Sequence, residues 1–169
     1  AKVSKNIGVA IATSGPGGMN FVTSVGNCFY DSVPCLFITG QINSNFMRPN
    51  ESIRQIGFQE TDIVSIVKPM TKYATMVDKA EDIKYKLEKA IHEATTGRPG
   101  PTLLDIPINI QKQDIDEKKL ISYDEKVNSS YSVKTIEKQV QDFVDDLLDS
   151  KRPCLMIGGG VRLSGAVEE

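Results

Sequence analysis

The sequence predicts an α/β protein: an open, mostly parallel sheet with helices on both faces, followed by the start of a second α/β domain. Short continuous apolar runs bounded by Gly or Pro have the pattern of parallel strands buried on both faces. Segments with three- and four-residue apolar spacing alternate with them, as crossover helices do. A Gly-rich turn, "ATSGPGGMN" from Ala12 to Asn20, joins the first such strand to the first such helix.

Residues 7–13 and 34–40 are the first two predicted strands, and Met19, Val22, Val25 and Phe29 mark one face of the helix between them. A second unit follows. Residues 70–77, "MTKYATMV", read as a strand with partly polar faces, and residues 81–95 as an amphipathic helix with Ile83, Leu87, Ala90, Ile91 and Ala94 inward. Gly97, Pro99 and Gly100 punctuate its end, and "PTLLDIP" at 101–107 reads as a buried strand. Apolar periodicity then fades. This divides the chain into a partial first domain at 1–115, a surface linker at 116–134, and the start of another domain at 135–169. In the last, Ile136, Val140, Phe143, Val144, Leu147 and Leu148 predict a helix, and "PCLMIGG" at 153–159 predicts a strand. A fully apolar strand begins within a few residues of Ala1, and the last strand-loop-helix unit breaks off at Glu169, so both ends are expected to interrupt a domain.

Composition narrows the function classes. The chain has 169 residues, 40% hydrophobic and 25% charged, as in soluble globular proteins. Its 20 Lys plus Arg and 22 Asp plus Glu are evenly spread, which leaves no basic face for nucleic acid or an anionic membrane. No apolar run reaches the length of a membrane span, and neither a span nor a secretory leader is expected. Cys28, Cys35 and Cys154 lie in apolar surroundings without a CxxC spacing, which predicts buried free thiols in the cytoplasm.

Few residues offer chemistry of their own. His92 is the one histidine and falls between exposed helix positions, so neither a metal constellation nor a Ser-His-Asp arrangement is expected. In "TSGPGG", glycines leave backbone N–H groups uncovered and Pro16 fixes one φ, which suits close approach of a ligand or a tight strand-to-helix corner. Asn20 is a two-sided hydrogen-bonding group or a helix cap. The polar link from Asn43 to Val64 joins core strands at the C-terminal edge of the sheet, where open α/β sheets bind ligands; it contains Phe58 and Gln59. Glu60 is expected to open a helix, and Asp105 to be a structural hydrogen-bonding residue at the end of a buried strand. "GGGVRLSG" lacks the full GxGxxG spacing.

Taken in order, "GVAIATSGPGGMN", "DSVPCLFITGQ", "GFQETDIVSIVKPMTKYA" and "ATTGRPGPTLLDIP" resemble the second part of the N-terminal pyrimidine-binding domain of the acetolactate synthase group of thiamin diphosphate enzymes. "KRPCLMIGGGVRLSGA" is similar to the start of that group's central domain. The resemblance implies an incomplete thiamin diphosphate-binding fold. It also implies a decarboxylase and carboligase acting on 2-oxo acids, with pyruvate condensing to acetolactate for branched-chain amino acid biosynthesis. Gly15, Pro16, Gly17 and Asn20 would then contact the aminopyrimidine ring between two subunits, and Phe58 and Gln59 would face the reacting carbon as catalytic residues. Gly158, Gly159 and Gly160 would match the contact loop of a flavin, FAD, where one binds. Mg2+ and the glutamate that activates the pyrimidine would be held outside this chain, which by itself is expected to be inactive. The intact parent would be a homodimer or homotetramer. A non-catalytic binding or dimerisation module that keeps the fold is the alternative; a dinucleotide-binding dehydrogenase fits less well, because the first turn reads SGPGG.

Overall fold

The computed structural model describes residues 1–4, 6–50, 52–124 and 133–166. The chain divides into two compact units, Ala1–Tyr123 and Asp124–Glu169. Most of the expected linker core, 125–132, lies outside the described residues.

In the first unit the apolar runs become strands β1 (Gly8–Ala12), β2 (Cys35–Gln41), β3 (Tyr73–Met76) and β4 (Pro101–Pro107). All pairings are parallel and the order is β1-β2-β4-β3. Between them run α1 (Pro16–Met19), α2 (Phe21–Tyr30), α3 (Ile63–Val67) and α4 (Ile83–Thr95), and α5 (Ile108–Gln111) follows β4. The order explains the layers. From β1 to β2 and from β2 to β3 the chain moves one way across the sheet; from β3 to β4 it returns. Right-handed crossovers then place α2 and α3 on one face and α4 on the other. Strand alternation sorts the core accordingly. Phe37 and Leu103 pack with Val25 of α2 and with Ile63 and Val67 of α3, while Leu36 and Leu104 pack with Ala90 of α4. α4 leaves β1 uncovered on its own side of the sheet, so Val9 is 58% and Ile11 74% exposed at the edge strand.

Local chemistry shifts several boundaries. The helix expected through Met19 and Phe29 is broken at Asn20, which ends α1 and precedes α2. Met19 and Phe29 are consequently exposed and only Val25 of that face is fully buried. Pro69 sits in a short 3-10 turn at Lys68–Met70, which delays β3 to Tyr73. Residues 81 and 82 belong to a 3-10 turn that leads into α4, on which Ala90 and Ala94 are buried and Ile91 is exposed. Cys28 and Cys35 are free and half-buried; burial pushes the Cys35 thiol up to about 11, with the neighbouring Cys28 adding to the rise, which makes it a poor nucleophile.

In the second unit α6 (Val133–Asp149) forms as its periodicity predicts, and α7 (Gly159–Leu163) follows. The strand expected at 153–159 is absent. A parallel strand exists only as the partner of another, and no strand occurs among the described residues of this unit. Leu155, Met156 and Ile157 stand exposed, as does Cys154, which corrects its reading as a buried thiol. No described helix is long and apolar enough to cross a membrane.

Leu103 lies at the centre of the sheet with no exposed surface. Leu103→Ala is expected to lower the unfolding free energy by about 2–5 kcal/mol, the cost of a core cavity. Urea unfolding followed by circular dichroism checks this, and an unchanged midpoint would contradict the packing described.

Candidate functional site

The C-terminal ends of β1, β2 and β4 lie side by side, so the segments that leave them meet at one edge of the sheet. A buried polar hub fastens that edge. Asp105 on β4 is opposite Thr39 on β2 and accepts hydrogen bonds from Thr39 Oγ1 at 2.7 Å and from Gln41 Nε2 at 2.9 Å. The Gln41 amide also donates to the carbonyl of Thr61 at 2.7 Å, and its Oε1 accepts from the N–H of Ile42 at 2.9 Å. Gln41 thereby ties both ends of the long link to the strands. Burial pushes the Asp105 carboxyl up and nearby Asp62 adds to this, against the lowering by Thr39 and Gln41. Asp105 is structural, as its position at the strand end suggested. A second tie is reciprocal: the N–H of Ser44 donates to Asn109 Oδ1, and Asn109 Nδ2 donates to Ser44 Oγ, both at 2.9 Å.

The two candidate loops converge here. Phe58 and Gln59 are the central residues of a four-residue turn closed by the N–H of Glu60 donating to the carbonyl of Gly57 at 3.1 Å. Gln59 has φ +63°, a conformation such turns usually give to glycine at their third position. Its backbone lies against Gly15, which has φ +61°; a Cβ on Gly15 would come within 2.7 Å of the Gln59 carbonyl oxygen and 2.8 Å of its Cβ. Glycine at 15 thus serves a contact between two loops, beyond any approach of backbone to a ligand. Phe58 is 85% exposed at the tip of the turn, against the ordinary expectation of a core phenylalanine.

Pro16 is exposed, Gly17 half-buried, and Asn20 exposed; the Asn20 side chain caps neither helix. The cap reading of Asn20 is thereby set aside. Pro16, Gly17 and Asn20 follow Gly15 along α1 and its end; Gly15 is the one that lies against Gln59, and a Cβ on Gly17 would come within 2.7 Å of Thr13 Cγ2. A depression of about 660 Å3 nearby is lined by Ile11, Thr13, Ser14, Ile38 and Gly40, among others, and by none of Pro16, Asn20, Phe58 or Gln59. In the second unit, Gly158 is the N-cap of α7 and Gly159 and Gly160 form its first turn. All three are exposed, and a Cβ on any of them would meet nothing within 4 Å, so packing within the unit does not require glycine there.

Glu60 departs from expectation. The helix after the turn starts at Ile63 and is capped by Asp62, whose carboxylate accepts from the N–H of Ser65 at 3.1 Å. Glu60 instead turns back into its own loop and accepts from backbone N–H groups of Arg48, Ile56 and Gly57. Burial raises its pKa, yet these donors, with the Arg48 charge, bring it below the ordinary glutamate range. Its contribution to stability is therefore present above that range and is lost as pH falls through the lowered folded-state value. A buried carboxylate in a loop rich in backbone donors has no sequence signature, because Glu before an apolar run reads first as a helix opener.

Residues 1–66 match the family described as thiamine pyrophosphate enzyme, N-terminal TPP binding domain. Over 171 residues, 99% of this chain, it is 36% identical to the acetolactate synthase large subunit of Lactococcus lactis. It is 38% identical over 174 residues, 100% of the chain, to the same-named subunit of Corynebacterium glutamicum. Against acetolactate synthase 1, chloroplastic, of rice (Oryza sativa), the identity is 36% over 170 residues, 98% of the chain. The chain spans 28%, 26% and 25% of the lengths of these three relatives.

Two substitutions test the geometry. Gly15→Ala places a methyl group against the Gln59 backbone at a positive φ and is expected to cost about 1–3 kcal/mol of stability. Asp105→Ala leaves the Thr39 hydroxyl and Gln41 amide short of a buried acceptor and is expected to cost a similar amount, about 1–3 kcal/mol. Chemical denaturation of both variants checks these values; wild-type stability in either would remove that contact from the account. With a parallel α/β sheet, converging loops at its C-terminal edge and these similarities together, the chain is a relative of part of the acetolactate synthase large subunits, and its residues 1–66 match the N-terminal domain family of thiamine pyrophosphate enzymes.

Proposed function

We propose that this chain is part of a thiamin diphosphate-dependent 2-oxo acid decarboxylase and carboligase, and that the intact protein condenses pyruvate to acetolactate. The observation that carries the reading is the seating of Gln59 on Gly15, which brings the turn bearing the exposed Phe58 against the loop that leads into Pro16, Gly17 and Asn20. The resemblance assigned these two loops to one site from their motifs alone. The names of the relatives support the reaction class.

When bound, thiamin diphosphate supplies the nucleophilic carbon for attack on a 2-oxo acid and the electron sink for loss of carbon dioxide. In this reading Asn20 hydrogen-bonds the edge of the aminopyrimidine through its uncommitted side chain. Pro16 and Gly17 give the flat ring a surface with little side chain to displace. Phe58 keeps water from the reacting carbon, and Gln59 orients the substrate through its amide. The exposure of Pro16, Asn20 and Phe58 supports a site completed by a second copy, in a homodimer or homotetramer. We place Mg2+ on a part of the intact protein outside this chain. The open surroundings of Gly158, Gly159 and Gly160 fit approach by FAD. The free thiols of Cys28 and Cys35 fit a reducing, cytoplasmic setting.

The test is made on the intact protein. Asn20→Ala is expected to weaken thiamin diphosphate binding by about 1–3 kcal/mol, with activity recovering in part at saturating cofactor. Gln59→Ala is expected to lower turnover or alter the product ratio while cofactor affinity stays near wild type. Cofactor titrations of each variant's carboligation rate separate the two roles. Wild-type behaviour of both variants would overturn these assignments. An intact protein that binds the cofactor yet turns over neither pyruvate nor another 2-oxo acid would favour a non-catalytic module.

A further inference from the structure

Glu60 is 8% exposed and directly follows the Phe58–Gln59 turn. Its Oε1 accepts from the N–H of Arg48 at 2.7 Å, and its Oε2 accepts from the N–H groups of Ile56 at 2.9 Å and Gly57 at 3.4 Å. One carboxylate thus gathers both ends of the loop that leads into the turn. Arg48 is anchored further: its guanidinium donates to the Ile53 carbonyl at 3.3 Å and lies 3.9 Å from the Asp62 carboxylate.

We propose that Glu60 is a positioning residue of the candidate site, whose carboxylate holds the Gly57–Glu60 turn closed and so keeps Gln59, at its positive φ, seated on Gly15. The proposal rests on the reading of Gln59 given above. Its physical basis is that a non-glycine residue in the left-handed region persists only where surrounding contacts over-determine it. The turn's own bond, from the N–H of Glu60 to the carbonyl of Gly57, is one such contact. The carboxylate adds three more, and bonds from N–H groups to an ionised acceptor are stronger than neutral ones. An amide cannot take its place, because a Gln side chain has one acceptor and would turn an NH2 donor toward backbone donors. The lowered pKa agrees with an ionised carboxylate at neutral pH.

The test uses the intact protein with thiamin diphosphate, Mg2+ and pyruvate, comparing Glu60→Gln, Gln59→Ala and the double variant. Glu60→Gln is expected to lower kcat at least fivefold or to shift the product ratio, with the cofactor Kd within threefold of wild type. On the Gln59→Ala background the same substitution should change kcat by less than twofold, because the group it positions is gone. Tryptic cleavage after Arg54 should also be at least fivefold faster in Glu60→Gln than in wild type. Should Glu60→Gln fail to fold, Glu60→Asp, which keeps the charge and shortens the reach, is put through the same comparison with the same expected results. Wild-type kcat, product ratio and Arg54 cleavage in the folded Glu60 variant would overturn the proposal, as would effects that multiply in full on the Gln59→Ala background. If Gln59→Ala itself leaves the reaction unchanged, the reading of Gln59 fails, and the proposal fails with it; an effect of Gln59→Ala without one of the Glu60 variant sinks the proposal alone.

Discussion

The contact between the backbone of Gln59 and Gly15 constrains the candidate site more than any other feature. It requires glycine at 15, since any Cβ there would strike the Gln59 carbonyl, and it requires a left-handed residue at 59. Glycine would adopt that conformation at least cost, yet the chain carries glutamine. A side chain kept where the backbone disfavours one has to be worth the strain, and the carboxamide of Gln59 is the group in question. The pairing also fixes which surfaces face out: Phe58 at the turn's tip, and Pro16 and Asn20 along α1.

The sheet supplies the frame for this contact. Parallel strands bring the ends of β1, β2 and β4 to one edge, and Asp105, Thr39 and Gln41 convert that edge into a rigid base by satisfying one another's buried polar groups. Gln41 carries the order outward by donating to the Thr61 carbonyl, just beyond the Phe58–Gln59 turn. The path from core to site therefore runs through hydrogen bonds between named side chains and the backbone of the link, in a segment with little apolar packing of its own.

The strands and the crossover helices were legible in the sequence because burial on two faces leaves an apolar run and burial on one leaves a helical stripe, as in "PCLFITG" and in the Ala90 and Ala94 spacing of α4. The break at Asn20 was not, because Met19 continues the apolar spacing of α2 across it. "PCLMIGG" carries a strand's pattern and forms none, since pattern reports what a segment could bury and pairing decides whether it does. The motifs singled out Gly15, Pro16, Gly17, Asn20, Phe58 and Gln59, but nothing in them told of the positive φ at Gln59 or of its seat on Gly15. Those depend on contacts between residues more than forty positions apart. Glu60 was misread for a different reason: its partners are nearby backbone N–H groups of its own loop, and any residue type can supply those.

The loops meeting at Gly15 and Gln59 are proposed to form the pyrimidine end of a thiamin diphosphate site. A crystal structure of the intact protein with thiamin diphosphate and Mg2+ decides whether they do. The aminopyrimidine is expected in contact with Pro16, Gly17 and Asn20, with the Phe58–Gln59 turn beside the reacting carbon and Gln59 still at positive φ against Gly15. A cofactor seated in the depression lined by Ile11 and Ile38, or anywhere away from both loops, would contradict it.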